Sequence, residues 1–442
     1  MFRLKGQSKF DYLLFVAMIA ACFLGFFMLF AHVWQSLSMS TALIWKQFIA
    51  FCLGLIGVLL IAQLDYRHLN KYAYWIYGLV LTLLVAVLLV GKVARGARSW
   101  FALGPFSFQP SEFMPLALII VLAKYIDSQP EWKNHRIWWA CLLYTLLPAG
   151  LILLQPDFGS TIVLIPIFLG LAYLGEVQAG YLISTVLAGM IAMFISLFLT
   201  SAQLSVTAGS LGKFGLWVVS IFSNFNNTML FLLAFYVFLV LIYFVIRKAV
   251  RDFSFKNVWF VFLTVVLGVV LSAGIQHFLR DYQRARLIAF LDPKVDPLGV
   301  GYNIIQSKVA IGSGQFLGKG ILAGTQSHLG FLPEQYTDFI FSVIGEELGF
   351  VGTGLLLGLF LVIIWRGITI MNKARDRFGS LLATGVVCLF ATHAILNIGM
   401  VMGIMPVVGV PLPLVSYGGS SLIAHMLAVG ILLGVHYRRY MY

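Results

Sequence analysis

Twelve stretches of roughly 15–27 mostly apolar residues divide this chain, at about 12–31, 42–64, 72–91, 112–126, 137–154, 160–178, 181–201, 229–247, 257–278, 339–365, 379–402 and 413–436. A hydrocarbon core needs about 20 apolar residues per crossing helix, and only helices or closed barrels satisfy every backbone group inside it. The runs are too long for barrel strands of about 10 residues, so they predict an all-α polytopic membrane protein with about twelve transmembrane helices. Composition agrees. Of 442 residues 61% are hydrophobic and 10% charged, and the mean hydropathy is +0.97, outside the range of ordinary soluble globules.

A net charge of +13 suggests nucleic acid in a soluble protein. Between membrane spans the same residues mark cytoplasmic loops, and nucleic acid is not an expected partner. With the N-terminus placed in the cytoplasm, the cytoplasmic segments hold 18 of the 29 Lys and Arg. Six of the others fall between Arg280 and Lys319, in a long loop that this count places outside. Long loops translocate largely regardless of charge. The basic start MFRLKGQSK precedes an apolar run with no small-residue cleavage site, and reads as the flank of a retained first span. The C-terminus then returns to the cytoplasm. No repeat or composition shift separates a soluble domain, so residues 1–442 form one integral domain, with 279–338 as an extracytoplasmic loop rich in charge, glycine and Asp-Pro turns.

Several familiar chemistries are absent from the motifs. GSGQFLGKG, Gly312 to Gly320, fails the phosphate-loop spacing, because three or five residues precede the Gly-Lys pair and no Ser or Thr follows. There is neither a GxSxG elbow nor an HExxH helix, the eight histidines are scattered, and the four cysteines lie in apolar runs without paired spacing. What remains is a set of acids and cations: Asp292, Asp296, Glu334, Asp338, Glu346 and Glu347 with Arg284, Arg286, Lys308 and Lys319. These suit loop-ordering ion pairs, or a general base beside cations that hold a phosphate. Glu112 stands at the start of a short apolar segment, where an acid either caps its helix beside Ser111 or faces a wet cavity. Asp157 lies between the breakers Pro156 and Gly159, as a turn acid or a ligand.

The segments FQPSE (Phe108 to Glu112), QPDFGST (Gln155 to Thr161), DPLGVGYNIIQS (Asp296 to Ser307), FLPEQYTDFIF (Phe331 to Phe341), GEELG (Gly345 to Gly349) and NIGMVMGIMPVVGVPLPLVSYGGSS (Asn397 to Ser421) resemble the signatures of the shape, elongation, division and sporulation (SEDS) family of bacterial peptidoglycan glycosyltransferases. They run in family order from about residue 95 to the C-terminus. GARSW (Gly96 to Trp100), VAIGSG (Val309 to Gly314) and GTQSHLGFLPE (Gly324 to Glu334) look more like the elongation branch than the division branch.

This resemblance implies an inverting polymerase of lipid II in the bacterial cytoplasmic membrane, with undecaprenyl pyrophosphate as the leaving group. The family's essential aspartate matches Asp296, which becomes the expected general base; local chemistry alone barely separates it from Asp292. Arg284 and Arg286 are expected to hold the pyrophosphate, with Lys308 and Lys319 as weaker choices. Gln306, Ser307, Glu334 and Asp338 either line the sugar site or tie the loop to the bundle, and Glu112 and Asp157 complete the substrate set. No metal ligand is assigned, although Mg or Mn assisting through carboxylates is compatible with the chemistry. Expected partners are a class B penicillin-binding protein and other membrane proteins of the elongation complex. A lipid II flippase and a non-catalytic scaffold of that complex are the alternatives.

The chain departs from the family in three places. Pro115 stands where a lysine commonly pairs with the QPSE glutamate, and Asn303 replaces a glutamine. Between Gly180 and Tyr282 there is room for three spans where a ten-span family has one, which makes 202–256 an expected insertion contributing two extra spans.

Overall fold

The computed structural model describes residues 10–35, 41–94, 97–104, 106–129, 135–207, 212–249, 254–278, 281–292, 299–328, 331–332 and 334–439. Each of the twelve apolar stretches coincides with a helix. Among the described residues, ten helices are long and apolar enough to cross a membrane: α1 Tyr12–Gln35, α2 Ala42–Gln63, α3 Arg67–Val90, α5 His135–Leu154, α7 Ala179–Thr207, α9 Phe225–Ala249, α10 Phe255–Phe278, α14 Ile340–Asn372, α15 Arg377–Val401 and α16 Gly419–Arg438. The other two are shorter, α4 Met114–Asp127 with 14 residues and α6 Phe158–Leu174 with 17. Every residue of α4 from Met114 to Ala123 is buried, so its apolar character serves an interior position on all sides.

The chain forms two compact units. The larger comprises residues 1–177 and 303–442, with α15 and α16 as its innermost long helices. Close packing on α16 depends on small residues: Gly54 of α2 faces Met426, and Gly430 faces the backbone of Val58. Between α3 and α4 the chain makes an antiparallel sheet of β1 Lys92–Ala94, β2 Ala97–Leu103 and β3 Phe106–Phe108. The smaller unit, 178–302, contains α7, α9 and α10, with the short helices α8 Lys213–Ser223 and α11 Asp281–Leu291. Ile195, Leu199, Leu232 and Val269 make its buried core.

The stretch expected as an extended loop is partly helical, with α11, α12 Val300–Ser313 and α13 Thr325–His328. A second departure from the sequence reading is a break in α14. Gly349 adopts φ +63° and ψ −155°, which interrupts the helical hydrogen bonds around it. The glycine-rich segment 314–320 supplies replacements. Lys319 N donates to Glu346 O and Gly320 N to Glu347 O, both at 3.0 Å, while Phe350 N donates to Gln315 O at 2.9 Å and Val351 N to Phe316 O at 3.1 Å. A side chain at Gly318, φ +81°, would collide with the Glu347 carbonyl. The glycines that fail as a phosphate cradle are the ones that let this segment approach the broken helix.

Candidate active site

Four segments distant in sequence converge in the larger unit. Asp157 N-caps α6 by accepting from Ser160 N at 3.1 Å, and its carboxylate also takes Ser160 Oγ at 2.7 Å, Gln109 Nε2 at 3.0 Å and Ser111 Oγ at 3.0 Å. The QPSE turn is thereby fastened to the start of α6. Gln109 N donates to Ser420 Oγ at 3.1 Å, which brings in the first turn of α16. The turn at 334–339 joins through Tyr417 N, which donates to Tyr336 O at 2.8 Å, and through Ser416 Oγ, which donates to Thr337 O. Asn397 of α15, fully buried, donates from one amide to Asp338 O at 2.8 Å and Val410 O at 2.7 Å.

Together they enclose a cavity of about 220 Å³, into which Glu112, Asp157 and Asp338 bring three carboxyl groups and Ser160, Ser420 and Ser421 bring hydroxyls. No Lys or Arg lines it among the described residues. An acceptor-rich hollow of this kind suits a ligand rich in hydroxyl donors. An apolar groove of about 210 Å³ adjoins it, lined by Ile49, Leu53, Phe106, Phe113 and Ile423 with Lys46, and shares Tyr417 and Ser420 with the cavity.

Glu112 does not cap α4. Phe113 occupies the cap position, while Glu112 lies ahead of the helix in a 3-10 turn, outside the helical spans, with Ser421 bonded to its carboxylate.

The other expected site residues have diverse surroundings. Asp296 lies outside the described residues. Arg284 and Arg286 sit on α11 in the smaller unit, where Arg284 Nη2 donates to Gln276 O at 2.6 Å and Gln276 Nε2 in turn reaches Ser196 and Thr200. Ser307 is buried on Ser342 Oγ and Val401 O, both at 2.7 Å, which ties α12 to the bundle. Gln306 is half-buried, and Lys308 is exposed with its ammonium group beside Gly403. Lys319 pairs with Glu346 at 3.1 Å and Thr325 Oγ1 at 2.8 Å. Glu334, at φ +55°, orders the 334–339 turn: its carbonyl takes the N–H groups of Thr337, Asp338 and Phe339. Gln109, Ser111, Ser160, Asn397, Ser416 and Tyr417 lie within the quoted signature segments but were given no individual site role. Asn397 carries the plainest signal, an amide inside an apolar span, where such groups are costly unless paired.

The sequence profile of the FtsW/RodA/SpoVE family, described as cell cycle protein, matches residues 11–211 and 232–441. Over 449 aligned residues the chain is 36% identical to the peptidoglycan glycosyltransferase RodA of Treponema pallidum, covering 99% of this chain and 100% of the relative. It is 35% identical to the peptidoglycan glycosyltransferase MrdB of Escherichia coli K12, over 92% of this chain and 90% of that protein. Among solved structures, a chain from a peptidoglycan synthase complex described as coordinating polymerization and crosslinking superposes with a TM-score of 0.64 at 29% identity, covering 98% of this chain and 99% of the other.

Proposed function

The chain belongs to the FtsW/RodA/SpoVE family of cell cycle proteins, and we infer from that membership, together with the acid-lined cavity, that it works as a peptidoglycan glycosyltransferase. The observation that carries the reading is the junction of two hollows, one rich in acceptors for sugar hydroxyls and one apolar enough for a polyprenyl tail, sharing Tyr417 and Ser420. Lipid II is the substrate with both characters.

In the proposed reaction the 4-hydroxyl of one disaccharide's N-acetylglucosamine attacks the anomeric carbon of another's N-acetylmuramic acid. Its proton passes to Asp296, and the pair of electrons in the breaking C–O bond leaves with undecaprenyl pyrophosphate. The leaving group is a stable anion and needs cations rather than an acid, the role given to Arg284 and Arg286. Glu112, Asp157 and Asp338 with the serines around them hold sugar hydroxyls.

The multi-pass protein is placed in the bacterial cytoplasmic membrane with both termini in the cytoplasm and 279–338 outside, as the basic residues of the short loops suggest. Twelve crossings follow if α4 and α6 complete partial spans with their flanking segments. Residues 202–256 are the insertion, a reading supported by the stretch 212–231 that the family profile leaves unmatched. A class B penicillin-binding protein is the proposed partner, in keeping with the synthase complex that this chain resembles.

The break in α14 beside two buried acids also suits a transporter of lipid II. Purified protein given lipid II in detergent with its penicillin-binding partner separates the readings. Glycan chains are expected from the wild type; lipid II consumed by neither elongation nor release of undecaprenyl pyrophosphate would reject the polymerase and leave transport.

A further inference from the structure

A buried ion pair lies behind the cavity wall. His32, near the end of α1, and Glu347, two residues before the break in α14, are 4% and 0% exposed, with Nε2 and Oε1 2.9 Å apart. His32 Nδ1 stands 2.9 Å from the Met28 carbonyl, which only accepts, so Nδ1 carries a hydrogen. Nε2 faces Glu347 Oε1 within ion-pair distance. Their contact is an ion pair short of hydrogen-bond alignment. The adjacent Glu346 is engaged by Lys319, Thr325 and the N–H groups of Gln326 and Ser327, while Ser327 Oγ lies 3.3 Å from Glu347 Oε1.

Stability does not account for this pair. Taking two charges out of water costs several kcal/mol per ion, and an apolar pair of similar volume is often as stable or more so. Its contacts suggest another role. The His32 ring meets the Tyr336 ring edge-on, centroids 5.7 Å apart at 69°. Tyr336 is held at its phenol by Gln335 Nε2 at 2.6 Å and at its carbonyl by Tyr417 N, and it directly precedes Thr337 and Asp338, which line the cavity.

We propose that the His32–Glu347 pair is a positioning device for glycan synthesis: it fixes the His32 ring, the ring fixes Tyr336, and Tyr336 sets Thr337 and Asp338 against the sugar. The inference rests on the cavity being the sugar site of the polymerase proposed above.

The test compares variants of the full chain with its partner on lipid II. His32→Leu combined with Glu347→Met replaces the pair by apolar groups of similar size; it should keep or raise the thermal midpoint yet lower kcat roughly tenfold or more, with KM little changed, as a displaced wall would. His32→Gln, which retains a donor towards Glu347, should recover most of the rate. Wild-type turnover by the double variant, or a Gln variant no faster than His32→Leu, would overturn the proposal. Should the double variant fail to fold, Tyr336→Leu replaces it: a well-folded protein with undiminished kcat would equally overturn it. Wild-type protein that makes no glycan would instead remove the polymerase reading, and this inference with it.

Discussion

Glycan synthesis by Asp296→Asn should fall by about 10²–10⁴-fold, the usual worth of a positioned general base, with no change in thermal midpoint. The attacking alcohol must surrender its proton as the new C–O bond forms, and an amide is isosteric with the carboxylate but does not accept that proton at neutral pH. The neighbouring aspartate provides the control. Asp292 ends α11, its N–H bonded to Ile288 O at 2.9 Å, and its side chain is exposed. Asp292→Asn should therefore keep most of the activity. The measurement is chain length and rate on lipid II, wild type and both variants side by side. Wild-type yield from Asp296→Asn would take this residue out of the mechanism, and equal losses in both would point to the charge of the loop rather than to one base.

The second large effect is on the scaffold. Asp157→Ala removes an N-cap acceptor, worth about 1 kcal/mol, and strands donors on Gln109 and Ser111 that cost about 1–3 kcal/mol each where water does not reach them. A loss of about 2–4 kcal/mol is expected, smaller than the sum because the cavity admits some water. Asp157→Asn keeps one acceptor oxygen for Ser160 N and should lose less than half as much. Denaturation followed by a probe of the 109–112 turn checks both. A loss below about 1 kcal/mol for the alanine variant would show that the four bonds to this carboxylate are replaced by solvent. Activity should drop with either variant, since Glu112 sits on the same turn as Gln109 and Ser111.

The helices were legible because apolar runs of membrane length have few alternative folds, although ten of the twelve, among the described residues, are long and apolar enough to cross a membrane. Position within the bundle was less so: α4 is apolar all round, yet hydrophobicity does not distinguish lipid from protein as its surroundings. The break at Gly349 left only a faint trace, since glycines are common in membrane helices and GEELG gives no sign that segment 314–320 will complete its hydrogen bonds. Residue type marked the acids Glu112, Asp157 and Asp338, which the structure brings to one cavity. It did not indicate that Arg284 would meet the Gln276 carbonyl, because a guanidinium suits a phosphate and a helix-end carbonyl equally. Nor did spacing reveal that Gln109 and Ser111 meet Asp157 across 48 and 46 residues.

The mended break in α14 has an implication for protein engineering and for divergence among paralogues. Residues 315–320 complete a helix that is synthesised after them, so that helix lacks a finished backbone until its predecessor has folded against it. A chimera that transplants one without the other would leave up to four main-chain groups unmatched, at about 1–3 kcal/mol apiece. The two should therefore be exchanged, inherited and redesigned as a single cassette, running from Gly314 at least as far as Val351.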